Sequence, residues 1–225
     1  MRIRIYKRNG DVISADYQTR KNNSKTCLYC QWAPAKRRKQ KVVTALLKQW
    51  FNVYTFDYSG WWNSDGNFIP SEVFFSAQDM FDFIKQKHGE DTICIWHSFW
   101  SIVAGEIEWV EKLILLAPVL IPRLFGLDTD KKEDSIQDFL HGLKEYEQYY
   151  SGIDYQLRQE FLEQYQRTPK SALTTIIHGK RDRSIHFSRT QKHVENLSNV
   201  SVLYPWYVGH SGISLIEKIP DIILQ

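Results

Sequence analysis

Apolar and polar positions exchange almost step by step through "RIRIYKRNGDVISADYQ", residues 2–18, on both sides of Asn9-Gly10. Alternating runs around Asn-Gly predict a β-hairpin, because both residues tolerate the left-handed backbone of a tight turn. Continuous apolar runs follow. Residues 26–30 predict a short strand, and 52–57 a buried strand ended by the turn signal Asp57-Tyr58-Ser59-Gly60. Between them Val43, Leu46, Leu47 and Trp50 recur at helical spacing. From Ser71 to Lys87 the residues Phe74, Ala77, Phe81 and Ile84 share one helical face, with Ser71 as the expected N-cap. Further strands are expected at 92–96, 112–118 (stopped by Pro118), 174–182 and 199–206. Helices are expected from about residue 99, over about 187–197, and after Gly209-His210.

After the hairpin, uniformly apolar strands alternate with helices. That order predicts an α/β fold with a mostly parallel sheet, since strands buried on both faces carry no polar side. Residues 119–170 break the rhythm. They are charged and Tyr-rich, with Ile136, Phe139, Leu143, Tyr146 and Tyr150 at helical spacing. The expected organisation is therefore a core of residues 1–118 and 171–225 with a small helical lid, 119–170, inserted over one end of the sheet.

Composition narrows the function without naming it. The 225 residues are 43% hydrophobic, enough for one core, and the net charge of +3 is too mild to point to nucleic acid. The basic run Lys36–Lys41 lacks aromatic or Gly-rich companions and reads as a solvated helix start, so no nucleic-acid partner is expected. Cys27 and Cys30 have C-x-x-C spacing, but no second pair or spaced histidines complete a zinc set. In a strand the two side chains point to opposite faces, so both thiols, like Cys94, read as core. Free apolar cysteines fit a reducing cytoplasm. The opening Met1-Arg-Ile-Arg-Ile has no signal-peptide core, and no apolar run reaches the roughly 18 residues of a membrane span.

In a parallel sheet functional groups gather beyond the carboxyl ends of the strands. Ser98, Asp182 and His210 each follow a predicted strand. A serine hydroxyl is a poor nucleophile until an imidazole takes its proton and a carboxylate orients that imidazole.

The order Ser, Asp, His resembles the α/β-hydrolase fold family, and several motifs extend the likeness. "FDYSGWWNSDG", 56–66, is similar to the family's "fDyrGhGrSdG" loop, and "WHSFW", 96–100, stands where its "GHSxG" nucleophile elbow belongs. "LLAP", 115–118, resembles the stretch after the next strand. "IIHGKRD", 176–182, resembles "vihGxxD", and "GHSG", 209–212, the loop of the triad histidine. The resemblance covers about residues 1–118 and 173–220. It implies Ser98 as nucleophile, His210 as general base and then acid, and Asp182 as its orienter. It also implies an oxyanion hole from the Phe99 N–H and that of Gln31 or Trp32, where the family's usual His-Gly reads Cys30-Gln31-Trp32. Trp61 and Trp62 are candidate pocket-lining residues.

The implied activity is hydrolysis of a carboxylic ester or thioester through an acyl-serine, without metal or cofactor. Its partner would be a small-molecule substrate, with an acyl carrier as a further candidate; the aromatic lid favours an apolar or aromatic acyl group. Two departures keep alternatives open. The elbow glycines are Trp96 and Trp100, whose bulk demands shrunken neighbours or an opened turn. A catalytically inactive binding protein of the same fold, and an acyltransferase or thioesterase acting on carrier-bound acyl groups, are the other readings. The hydrolase reading requires the three side chains to converge at one rim of the sheet, with the hydroxyl open to substrate. His178 is expected to hydrogen-bond backbone beneath the site, and Asp57 to stabilise its own turn.

Overall fold

The structure, a computed structural model, describes residues 1–7, 9–21, 23, 25–30, 40–68, 70–89, 91–98, 101–104, 107–118, 173–183, 185–195 and 197–220. The expected lid, 119–170, lies outside these, as do residues 36–39 of the basic run.

The chain opens with an antiparallel hairpin, β1 (Arg2–Tyr6) and β2 (Val12–Gln18), in the register Tyr6↔Val12. Its connection is longer than the two-residue turn that Asn-Gly suggests. The Gly10 N–H bonds Lys7 O at 3.0 Å, and the Lys7 N–H bonds Asp11 O at 2.8 Å. Gly10, at φ 89°, takes the left-handed position that lets the chain rejoin the ladder. β3 (Lys25–Cys30), β4 (Phe51–Phe56), β5 (Thr92–His97), β6 (Lys112–Leu116), β7 (Leu173–Ile177) and β8 (Val200–Leu203) complete an eight-stranded sheet in the order β1-β2-β4-β3-β5-β6-β7-β8. Every pairing from β4 to β8 is parallel, and β2 joins β4 antiparallel.

Alternate residues of the central strands feed two separate cores. Leu28, Cys30, Cys94, Trp96, Leu113 and Leu115 belong to one; Cys27, Tyr29, Ile93, Ile95, Ile114 and Leu116 belong to the other. The first is covered by α2 (Pro70–His88) and α3 (Ser101–Ala104), with Val194 of α4 (Phe187–Val194) at its margin. The second is covered by α1 (Gln40–Lys48) and α5 (Gly212–Ile216), which also touch each other. Helices therefore lie on both faces, as the unbroken apolar strands predict. Cys27 and Cys30 do fall on opposite faces. Burial pushes both thiols well above their usual range, which leaves them unreactive packing groups.

Three local expectations are corrected. Trp50 is not on the buried face of α1; it lies beyond the helix at φ 69° and is exposed, the left-handed position that ends the helix. Ser71 is not the N-cap of α2, because Pro70 already stands inside the helix, its missing N–H costing nothing there. The fully buried stripe of α2 runs through Val73, Ala77, Met80, Phe81 and Ile84, and Phe74 packs half-buried against the same core, so the stripe is centred nearer Val73 than expected. Periodicity identified the helix but left its rotation open by one residue.

Candidate active site

The row His97↔Leu116↔Ile177↔Leu203 marks the common carboxyl edge of β5, β6, β7 and β8. Ser98 directly follows β5. Asp182 lies five residues beyond β7, and His210 seven beyond β8. Three strand spacings, about 14 Å, separate β5 from β8, too far for side chains to meet straight across the edge. The loops after β7 and β8 must lean back over β6.

They do so as a bonded pair. The Lys180 N–H donates to Pro205 O at 3.0 Å and the Arg181 N–H to Val208 O at 3.1 Å. Gly179 makes this approach feasible, for a Cβ there would lie 2.0 Å from Val208 O. The His210 loop is tied to β5 as well. His97, fully buried, places Nε2 at 3.2 Å from His210 O, and Gly212 lets its ring seat closely, since a Cβ there would lie 3.0 Å from the His97 Cε1. His97 is thus a structural anchor for that loop.

The three side chains converge. His210 Nε2 lies 3.0 Å from Ser98 Oγ, and His210 Nδ1 lies 2.7 Å from Asp182 Oδ2. With a carboxylate beside it, Nδ1 carries the proton, so Nε2 accepts from the serine hydroxyl. Asp182 Oδ1 accepts from the Ile185 N–H at 2.9 Å. Burial pushes the Asp182 carboxyl up, but the hydrogen bonds from His178 and His210, the charge His210 carries when protonated, and the Ile185 N–H together outweigh it. They hold the carboxyl well below the usual carboxylate range.

Ser98 stands at φ 61°, the left-handed geometry of a sharp strand-to-helix turn. Trp96 leaves the strand that leads into it intact. That residue keeps its place in β5, paired with Cys30 and Leu115, and its ring is fully buried in a core that includes Cys30, Cys94 and Ala104. Small residues beside the indole accommodate it, with Tyr58 at 6.5 Å between ring centroids. The hydroxyl expected to be open is instead nearly enclosed: Ser98 is 4% exposed, while the His210 side chain keeps 16%. The imidazole that would take its proton stands directly against it.

Trp61 is buried in the same core as Trp96 and meets the Phe68 ring edge-on at 5.1 Å, whereas Trp62 is exposed at φ 51°. Phe99, Gln31 and Trp32, the expected oxyanion donors, and Trp100 of the elbow lie outside the described residues. Asp57 stabilises its own turn: Oδ2 accepts from the Asn63 amide at 3.3 Å, and its carbonyl accepts from the Ser64 hydroxyl at 2.6 Å. Sequence reasoning did not find Gly179, Gly212, Ile185 or Thr190. The "HG" before Asp182 and the Gly after His210-Ser211 were the signals for the two glycines; Ile185 and Thr190 contribute through a backbone N–H and a lone hydroxyl, which leave no pattern. No group of metal-ligating side chains occurs among the described residues, nor any helix long and apolar enough to cross a membrane.

No family model matches the chain. A 68-residue stretch, 30% of the chain, is 32% identical to lysophosphatidylserine lipase ABHD12 of Xenopus tropicalis; the match spans only 18% of that protein. Whole-chain likeness comes from solved structures. The Pyrococcus furiosus esterase Pf2001 superposes with a TM-score of 0.69 at 15% identity, covering 100% of this chain and 91% of that one. Est1E from Butyrivibrio proteoclasticus, with ferulic acid bound, gives 0.66 at 16% identity over 100% and 98%. Mouse alpha/beta hydrolase domain-containing protein 10 gives 0.66 at 17% identity over 99% and 98%.

Proposed function

The chain has the α/β-hydrolase fold, and on that premise we propose that it is a serine hydrolase cleaving a carboxylic ester or thioester through an acyl-serine intermediate. The observation that carries this reading is the unbroken chain Ser98 Oγ, His210 Nε2, His210 Nδ1, Asp182 Oδ2, with links of 3.0 and 2.7 Å. Three separate loops supply its members, and ordinary capping or packing needs none of them to meet.

In this reading His210 Nε2 takes the Ser98 proton as Oγ attacks the substrate carbonyl carbon. Asp182 holds the ring in the Nδ1–H tautomer and stabilises the imidazolium that forms. The tetrahedral oxyanion is assigned, by resemblance, to the backbone N–H groups of Phe99 and of Gln31 or Trp32. On collapse, the alcohol or thiol leaves with the proton from His210. Water repeats the sequence on the acyl-serine and releases the acid. Proton, charge and leaving group balance without a metal or cofactor. An apolar or aromatic acyl group is the favoured substrate class, in keeping with the ferulic acid held by Est1E. A reducing, cytoplasmic setting suits the buried free thiols.

The enclosure of Ser98 favours a second reading, a binding protein that retains the constellation without turnover. Labelling with a fluorophosphonate separates the two. Wild type is expected to label at Ser98 and Ser98→Ala not at all, with ester hydrolysis reduced by about 10⁴-fold or more. An unlabelled, correctly folded wild type overturns the hydrolase reading. Comparing simple esters with carrier-bound thioesters then distinguishes an esterase from an enzyme serving an acyl carrier.

A further inference from the structure

His178 is completely buried directly after β7, and the reaction above makes no use of it. Its two nitrogens are nonetheless both engaged. Nδ1 lies 2.7 Å from the Thr190 hydroxyl on α4. Nε2 lies 2.8 Å from Ile185 O and 3.3 Å from Asp182 Oδ2. A carbonyl and a carboxylate can only accept, so the proton sits on Nε2, and Nδ1 must accept from the Thr190 O–H. Thr190, whose hydroxyl can donate or accept, completes this arrangement and holds the His178 ring from its other edge.

From this geometry we infer that His178 is a positioning residue for Asp182, an inference that rests on the Ser98–His210–Asp182 reading. Asp182 Oδ2 is shared by two imidazoles, with His210 Nδ1 at 2.7 Å and His178 Nε2 at 3.3 Å. Oδ1 is held from the other side by the Ile185 N–H. The carboxylate cannot rotate without losing a donor, so Oδ2 is kept facing His210. His178 also draws off part of the charge that His210 would otherwise receive whole. Among the described residues, polar groups facing Asp182 include His178 after β7, His210 after β8, and the Ile185 N–H before α4. Its chain neighbours Arg181 and Arg183 are exposed. Helix α4, which touches no substrate in this reading, is thereby linked to the reacting serine through Thr190, His178, Asp182 and His210.

Three variants test the inference: His178→Phe removes the donor and keeps the bulk, His178→Gln keeps an N–H, and Thr190→Val removes only the hydroxyl. Each is measured for fluorophosphonate labelling rate against pH, and for the downfield proton resonance of the His210–Asp182 hydrogen bond. With the second donor gone, the negative charge on Oδ2 concentrates on His210. In His178→Phe the acid limb of the labelling profile is then expected to move up by roughly half a pH unit or more. The labelling rate should fall by about 10- to 100-fold, and the resonance should shift. His178→Gln restores most of all three, and Thr190→Val shows the same changes at smaller size. A purely structural role predicts lower melting temperatures with an unmoved acid limb and resonance, and that result overturns the inference. If His178→Phe does not fold, an unmoved resonance in Thr190→Val overturns it equally. If wild type never labels but the resonance shifts in the variants, the hydrolase reading fails while the His178–Asp182 coupling stands.

Discussion

Two buried aspartates stand just past the carboxyl ends of parallel strands, Asp57 after β4 and Asp182 after β7. Each lies in a stretch similar to an α/β-hydrolase motif, and each has a tightly packed glycine within three residues, Gly60 after Asp57 and Gly179 before Asp182. Their surroundings differ in origin. Asp57 Oδ2 accepts from Asn63, six residues along the same turn. Asp182 accepts from Ile185 nearby and also from His210, 28 residues away on another strand's loop. The comparison teaches that a carboxylate at the right end of a sheet is not yet a functional group. In the proposed triad, Asp182 is set apart by donors that converge on it from separate elements, one of which would carry the proton the reaction needs.

The sharpest way to break this comparison is to neutralise both carboxylates in turn. Asp182→Asn is expected to lower the labelling rate at Ser98 by about 10³- to 10⁴-fold, since an amide can present its N–H to His210 and favour the wrong tautomer. Asp57→Asn should leave that rate within about threefold and show its effect in the melting temperature. Equal losses in the two variants would erase the distinction.

The glycines of the two turns extend it. A Cβ at Gly179 would lie 2.0 Å from Val208 O, in the seam that joins the Asp182 and His210 loops. Gly179→Ala should therefore cost about 1–3 kcal/mol in stability and also slow labelling. A Cβ at Gly60, at φ +67°, would lie 2.3 Å from Phe68 N, far from that seam in the chain. Gly60→Ala should destabilise comparably, by left-handed strain and crowding, while the folded fraction labels at the normal rate. Denaturant midpoints paired with labelling of the folded protein separate the two effects.

The smallest effect is in acid. The Asp182 carboxyl is held well below the usual carboxylate range, so the folded state binds its proton less readily than the unfolded chain. The stability this contributes is complete above about pH 4 and is lost as the pH falls through the folded value. Denaturant midpoints should be flat between pH 7 and 5 on this account. Below about pH 4 they should fall more steeply in wild type than in Asp182→Asn.

The difference between Asp57 and Asp182 also shows how far the chain could be read without coordinates. The sheet was legible because buried parallel strands such as Thr92–His97 and Lys112–Leu116 have no polar side to confuse the pattern. Local geometry was less so. The exposed Trp50 was misplaced and the buried Val73 overlooked because apolar periodicity registers hydrophobicity, not which of two adjacent residues turns further inward. Ser98, Asp182 and His210 could be named because each follows a strand and the family resemblance orders them. The elbow tryptophan looked like an obstacle because sequence shows added bulk at one position and cannot show the small side chains that meet it from other elements.

By itself, then, the sequence determined the alternation of strands and helices, the carboxyl edge where chemistry would gather, and which residues could perform it. Those are properties of local spacing and side-chain type. Only the tertiary structure decided that the β7 and β8 loops lean together across β6, that Ser98 keeps a left-handed backbone beside a buried indole, and that two imidazoles share one carboxylate oxygen. Each depends on distances between residues far apart in the chain, set by close packing and backbone hydrogen bonds that no run of neighbouring residues encodes.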